Sequence, residues 1–415
     1  MFDATLLLFI LSFICILELM LQRLLLFFVL FSTQTVFSQE EFVLPECKLI
    51  TKLPFSQLSG GIIIIRAKLD NYPDSLNFVL DTGSGGISLD SATAIELQIP
   101  LIKTEKTIRG IAGLKKVDFA MDHSLSFVGL TVDHLDFHIN DYELLTSVYG
   151  VRIDGIIGYS FLRRFVVKLD YDIGKIEIYT PGTYKYPRGG FLLKPNFTTL
   201  PHQIAVIQDG REVLNRFIFD TGAGLCFLLS RDFVEDSSVF KTSKKFYTTQ
   251  AEGLGGKKQM ELTTVKSVKI GPFKFRNVPV HVFEDSYNVT SYPLLGGIIG
   301  NDILRRFNVV LNYPEQSIHI KPNTHFNEDF DYSYTGLGIY LINGEIRVVD
   351  IVKDSPGDKA GFKEGDVIFS VESNYTKNIQ IYKNLFQNAL GRIKVVVFRG
   401  PIPMILTLDV KDIRN

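Results

Sequence analysis

Two acidic triplets recur in this chain. Asp81-Thr82-Gly83 closes the apolar run Phe78-Val79-Leu80, and Asp220-Thr221-Gly222 closes Phe217-Ile218-Phe219. Two carboxylates supplied by duplicated units can form an acid/base pair. One, ionised, takes a proton from water; the other, protonated, gives one to a carbonyl oxygen. Close approach by itself produces this state, because both groups cannot be ionised at once. A single triplet of this kind is equally a polar turn after a strand, with Asp bonding its own backbone and Gly supplying a positive φ. The surroundings of the two copies therefore carry the weight.

Those surroundings recur as well. Asp154-Gly155-Ile156-Ile157-Gly158 follows the first triplet and ends in Leu162-Arg163-Arg164-Phe165. Gly297-Ile298-Ile299-Gly300 follows the second and ends in Leu304-Arg305-Arg306-Phe307. Between triplet and second motif each copy holds a Gly-rich hairpin candidate: Gly110-Ile111-Ala112-Gly113 and Gly253-Leu254-Gly255-Gly256. An alternating strand pair closes each copy, at 166–180 and 308–321. The Asp residues are 139 positions apart, the Gly-Ile-Ile-Gly segments 142 and the hairpins 143. One order at nearly one offset means two homologous lobes rather than a solenoid.

On these motifs, over residues 50–325, the chain resembles the aspartic peptidases, most closely the retropepsin-like branch. The resemblance implies that Asp81 and Asp220 form a catalytic dyad across a pseudo-twofold axis. It implies that Thr82 and Thr221 lock the two loops together, that Gly83 and Gly222 permit the tight turn, and that the Gly-rich hairpins are flaps. Two flap candidates suit a viral-type dimer, and neither holds the Tyr of a pepsin-like flap. After the triplets, Ser84 is pepsin-like and Ala223 is retroviral-like. A Ser84 hydroxyl donating to Asp81, with nothing equivalent at Asp220, would make Asp81 the ionised partner.

Past Pro322 the composition turns polar through residues 323–334, the pattern of a linker. Then come Thr335-Gly336-Leu337-Gly338-Ile339 and the run Asp354-Ser355-Pro356, Ala360-Gly361 and Gly365-Asp366-Val367-Ile368. This stretch resembles a bacterial-type PDZ domain. The resemblance implies that Gly336, Leu337, Gly338 and Ile339 form a carboxylate-binding loop, that a peptide adds as a strand at the sheet edge, and that residues 378–389 are the helix lining the groove. The turn-forming part, 354–366, reads as scaffold.

The elements positioning these residues read as mainly β. Apolar runs such as 61–67 and 395–398 are short and bounded by turns. The expected architecture is two pseudo-symmetric aspartic-peptidase-like β lobes, 39–185 and 186–325, followed by a small α+β PDZ-like domain at 330–415. With 44 basic and 45 acidic residues the formal charge is −1, which argues against nucleic acid as a partner. No phosphate-cradling loop or dinucleotide fingerprint occurs, so no cofactor is expected. Nor is a metal: His134, Asp136 and His138 share a strand face that reads as solvated. Cys47 and Cys226 are left open as a pair or as separate thiols.

Residues 6–31 are strongly apolar, broken by Glu18, Gln22 and Arg23. One reading, 1–38, is an export signal with its apolar core at 24–31 and cleavage after Val36-Phe37-Ser38; the rival is an uncleaved anchor. The expected function is an exported aspartic endopeptidase that acts on peptides or unfolded segments and is monomeric in its catalytic unit. Its PDZ-like module would take substrate or partner C-termini. The alternative is a catalytically silent peptide-binding envelope protein working through that module.

Overall fold

The computed structural model describes residues 4–32, 44–253, 255–389 and 391–414. The N-terminal unit holds one helix, Ala4–Ser32, which runs unbroken through Glu18 and Arg23. Its stretch Leu8–Phe27 is long and apolar enough to cross a membrane. The proposed cleavage site, Val36-Phe37-Ser38, lies outside the described residues.

From Glu46 onward the chain is mainly β. The first lobe is a seven-stranded sheet in which Leu76–Leu80, the strand leading to Asp81, lies beside Gly155–Ile157. The second lobe repeats the order in an eight-stranded sheet, with Glu212–Phe219 beside Gly297–Ile299. Each Gly-Ile-Ile strand pairs in parallel with the Asp-bearing strand and antiparallel with the strand that follows the Asp loop. A crossing of this kind threads one strand between the two arms of a loop, so the loop is held from its middle. The backbone bonds show it: the Asp81 amide donates to the Ile157 carbonyl at 2.9 Å, and the Asp220 amide to Ile299 at 3.0 Å.

The strand pairs expected after each lobe are present, and they fuse. Val166–Asp170 pairs antiparallel with Phe307–Asn312, producing one six-stranded sheet to which both lobes contribute. Val167, Leu169, Val309 and Leu311 are buried there, so the lobes share a continuous core.

The C-terminal module has its own core of Ile346, Val348, Phe362, Tyr382, Val395 and Leu408. Its six-stranded sheet ends on the edge strand Leu337–Ile342. The helix Ile379–Gln387 is capped by Asn378, whose side chain accepts from the Gln380 and Ile381 amides. It buries Ile379, Tyr382 and Phe386, one face at helical spacing. In the run read as scaffold, Asp366 is buried and takes two 2.8 Å bonds from Arg399.

The polar stretch 323–334 is not a loose tether. Phe330, Tyr332 and Tyr334 are buried in the core that the two lobes share. Arg306, fully buried, donates to the carbonyls of Asp302, His325, Glu328 and Asp329, and its guanidinium lies 4.0 Å from the Phe330 ring centre. Composition pointed to a linker because the aromatics are diluted by acidic and Asn residues. The buried Arg is what makes those polar backbone groups compatible with packing.

Candidate active site

The two triplets meet face to face. The Thr82 amide donates to Thr221 Oγ1 at 3.1 Å, and the Thr221 amide to Thr82 Oγ1 at 3.0 Å. Each hydroxyl passes its own proton on: Thr82 Oγ1 to the Phe219 carbonyl at 2.6 Å, and Thr221 Oγ1 to the Leu80 carbonyl at 2.9 Å. Both threonines are wholly buried. A hydroxyl that both accepts and donates is needed here, and no other group of this size does both.

This crossing brings the carboxyl groups of Asp81 and Asp220 close enough for each to shift the other's ionisation. Glycine is required beside them. A Cβ on Gly83 would sit 2.3 Å from Asp220 Oδ2, and one on Gly222 would sit 2.3 Å from the Asp81 carboxyl carbon. Each Asp also accepts from the amide two residues on, Gly83 and Gly222, at 2.7 Å.

Both carboxyls bind protons more tightly than an ordinary carboxylate, and burial is the main cause in each. At Asp81 the neighbouring Asp220 adds to the rise. At Asp220 the neighbouring Asp81 and the backbone amides, that of Gly222 among them, offset part of the rise. The two carboxyls therefore titrate as one unit, both shifted upward. Among the described residues the Ser84 hydroxyl makes no bond to Asp81; the Ser84 contribution comes from its backbone amide.

The two Gly-rich hairpins, the flap candidates, line the same cavity as Asp81 and Asp220. Thr107–Gly110 pairs with Gly113–Lys116 through the tip Ile111-Ala112. Tyr247–Gly253 pairs with Gly256–Ile270; Leu254, at that tip, lies outside the described residues. The tips touch: a Cβ on Gly253 would meet Ile111 Cδ1 at 2.7 Å, and one on Gly255 would meet the Gly113 nitrogen at 2.8 Å. Arg109 ties the first flap to the second lobe by a 2.8 Å bond to the Asn288 carbonyl. Beneath lies a cavity of about 2120 Å³, lined by both Asp residues, both flaps and part of the C-terminal module.

Sequence reasoning missed several of its walls. His138 and His281 both line the cavity, and burial holds each imidazole neutral, down to about 4. They are 143 residues apart, the offset of the flaps, and that signal could have found them. They occupy matching positions, His138 opposite Phe119 and His281 opposite Leu262. His134, expected on one face with His138, has φ +56° and pairs with Asp122 instead. Cys47 and Cys226 are separate thiols. Cys47 donates to the Gly182 carbonyl and Cys226 to Asp302 Oδ2, each at 3.0 Å.

In the C-terminal module, Gly336 adopts φ +69°, and a Cβ there would lie 2.2 Å from Ser355 Cβ. The Leu337 amide is engaged by Thr335 Oγ1 at 3.2 Å. Leu337 begins the edge strand, and its register is irregular between Gly338 and Ile339.

Comparison with protein families agrees with this geometry. The aspartyl protease family matches residues 65–161 and 204–303, one segment per lobe and each containing its Asp-Thr-Gly. The PDZ domain family matches 347–400. The chain thus carries two aspartyl-protease-type lobes in tandem and a C-terminal PDZ domain. No curated protein matches the chain.

Proposed function

We propose that the protein is an aspartic endopeptidase whose dyad is Asp81 and Asp220. The observation that supports this most directly is the crossed threonine bonding, which holds two half-buried carboxyls side by side in a cavity lined by both hairpins. In this reading a water bridges the pair. One carboxyl, ionised, takes its proton as the oxygen attacks the peptide carbonyl, and the other, protonated, gives its proton to the carbonyl oxygen. The neutral gem-diol collapses as the carboxyl that took the water's proton gives it to the leaving nitrogen while the other carboxylate takes one from a diol hydroxyl, and the C–N bond breaks. The flaps at 110–113 and 253–256 cover an extended substrate and exclude water.

A peptide or unfolded segment fits this site; a folded strand does not enter a cleft closed from both sides. Segments 39–185 and 186–325 serve as the two catalytic lobes. The module at 330–415 binds C-termini through Gly336, Leu337, Gly338 and Ile339. The N-terminal helix acts as an export element, signal or anchor, and places the enzyme in the cell envelope or outside it. The test is digestion of a mixed peptide library, with products read by mass spectrometry. Internal cleavage is expected, blocked by peptides carrying a tetrahedral hydroxyl carbon at the scissile position. Absence of cleavage from acid to neutral pH would refute the reading.

A further inference from the structure

Both lobes build the floor of the large cavity in the same way. In the second lobe a row of side chains crosses the sheet through Ile218, Ile298, Leu228, His281 and Leu262, each paired with the next. All five line the cavity. In the first lobe the row is Val79, Ile156, Ser88, His138 and Phe119. Four of these line the cavity; the Ser88 hydroxyl is bonded to that of Tyr142 at 2.6 Å, and Tyr142 lines it instead. Residues paired across a sheet share a face, so each row presents one line of side chains. Each row begins two residues before its Asp, and each has its histidine in the fourth place, three strands from the Asp-bearing strand.

The histidines are the polar groups of these rows that no protein side chain answers. Both are half-buried. Burial acts alone on His281, and its Nδ1 is covered with no partner. A stranded lone pair is tolerated better than a stranded N–H, so the ring proton belongs on Nε2, and that N–H is left to donate. At His138 the Ile87 backbone offsets part of the burial, and no charged group acts on the ring. Its Nδ1–Cε1 edge borders Gly86: a Cβ there would stand 3.4 Å from each atom. Gly86 itself lines the cavity and has no side chain to cover that edge.

A lone polar group in an apolar floor discriminates between substrates. A side chain that brings an acceptor pairs with it, and an apolar side chain leaves it stranded. The fitting acceptor is uncharged. A carboxylate would enter a cavity where the dyad already holds a negative charge and where, in the first lobe, Asp136 lines the wall two residues before His138. A carboxamide offers the same carbonyl oxygen without the charge. Three strand spacings of about 4.8 Å place each histidine about 14 Å from the Asp-bearing strand, the reach of about four extended residues.

We propose, building on the peptidase reading above, that His138 and His281 set the specificity of the cleft, each donating to the side-chain carbonyl of an Asn or Gln. The two carboxamides lie on opposite sides of the scissile bond, each within about four residues of it. The substrate is then a polypeptide with Asn or Gln flanking the cut, and the repeat of the histidine in both lobes is what makes the requirement two-sided.

The test uses the full-length chain in mild detergent and a peptide that it cuts in the library digest. That peptide is remade with Gln, Met or Glu at each of four positions on either side of the cut. Met matches Gln in length and lacks its carbonyl. At one position on each side, kcat/KM for Gln is expected to exceed that for Met by about tenfold or more. His138→Phe and His281→Phe keep a ring and remove the donor. Each should erase the preference for Gln on one side and keep it on the other, a change that loss of packing alone would not produce. Equal rates for Gln and Met at every position would overturn the proposal without any variant and leave the peptidase reading standing. So would a preference for Glu over Gln, which would assign the pockets to acidic side chains, or a Gln preference that survives in both variants. No cleavage of any library peptide would overturn the peptidase reading and this proposal with it.

Discussion

Replacing Thr82 by Val removes one hydroxyl and almost no volume. The structure assigns that hydroxyl two bonds: it accepts from the Thr221 amide at 3.0 Å and donates to the Phe219 carbonyl at 2.6 Å. Both partners are backbone groups in a site closed to water, and each buried group left unpaired costs about 1–3 kcal/mol. The expected loss is about 2–4 kcal/mol, with partial relaxation at the lower end. Thr221→Val breaks the mirror-image pair, to the Thr82 amide and the Leu80 carbonyl, so the two variants should be destabilised alike. Thr82→Ser keeps the hydroxyl and should recover most of the loss. The assay is urea unfolding of the full-length chain in mild detergent, followed by tyrosine fluorescence because the chain has no tryptophan. Valine variants within about 0.5 kcal/mol of wild type would refute the argument, since that is the size of an ordinary surface change. A large loss at one threonine and none at the other would show that the crossing is not symmetric.

Gly255→Ala places a side chain at φ +96° and a Cβ 2.8 Å from the Gly113 nitrogen. It should cost about 1–3 kcal/mol in the closed form and lower kcat/KM while leaving far-ultraviolet circular dichroism unchanged. Arg306→Met strands the carbonyls of His325, Glu328 and Asp329, so the unfolding midpoint should fall by an amount worth about 3 kcal/mol or more. Limited proteolysis should then cut first within 323–334. The dyad also predicts a pH dependence of stability. A carboxyl whose folded pKa is raised contributes stability that is fully present below its unfolded value and lost as pH climbs through the folded one. Asp81→Asn has no proton to lose there. Above the unfolded value of 3.8 the variant should therefore gain on wild type, by up to about 1.4 kcal/mol per pH unit, until the folded value is passed. Urea titrations at stepped pH measure the difference; a gap that does not change with pH would contradict it.

The repeat was legible because each lobe must build the same loop from the same few residues. Asp-Thr-Gly, the Gly-Ile-Ile strand and the Gly-rich hairpin tips are short, local and nearly invariant in spacing. The mainly β architecture followed from short apolar runs between turns. What stayed hidden depends on contacts between distant segments. The burial of Phe330 and Tyr332 rests on Arg306, about twenty residues away, whose twin Arg164 in the first lobe instead reaches the carbonyls of Asp133 and His134. The upward shift of both carboxyls comes first from burial where the two lobes meet, which neither triplet shows by itself. The seating of the PDZ domain on the second flap uses Gln250, Glu252 and Lys257, residues with no local pattern to mark them.

The central claim is that Asp81 and Asp220 act as one unit on one water. Its most direct test is kcat/KM for a cleaved peptide with Asp81→Asn, Asp220→Asn and the double variant, measured across pH. Groups that work as a unit are non-additive, so each single change should cost about as much as both together, on the order of 10⁴-fold or more. One single variant that keeps near-wild-type activity, or two losses that multiply in the double, would contradict the shared dyad.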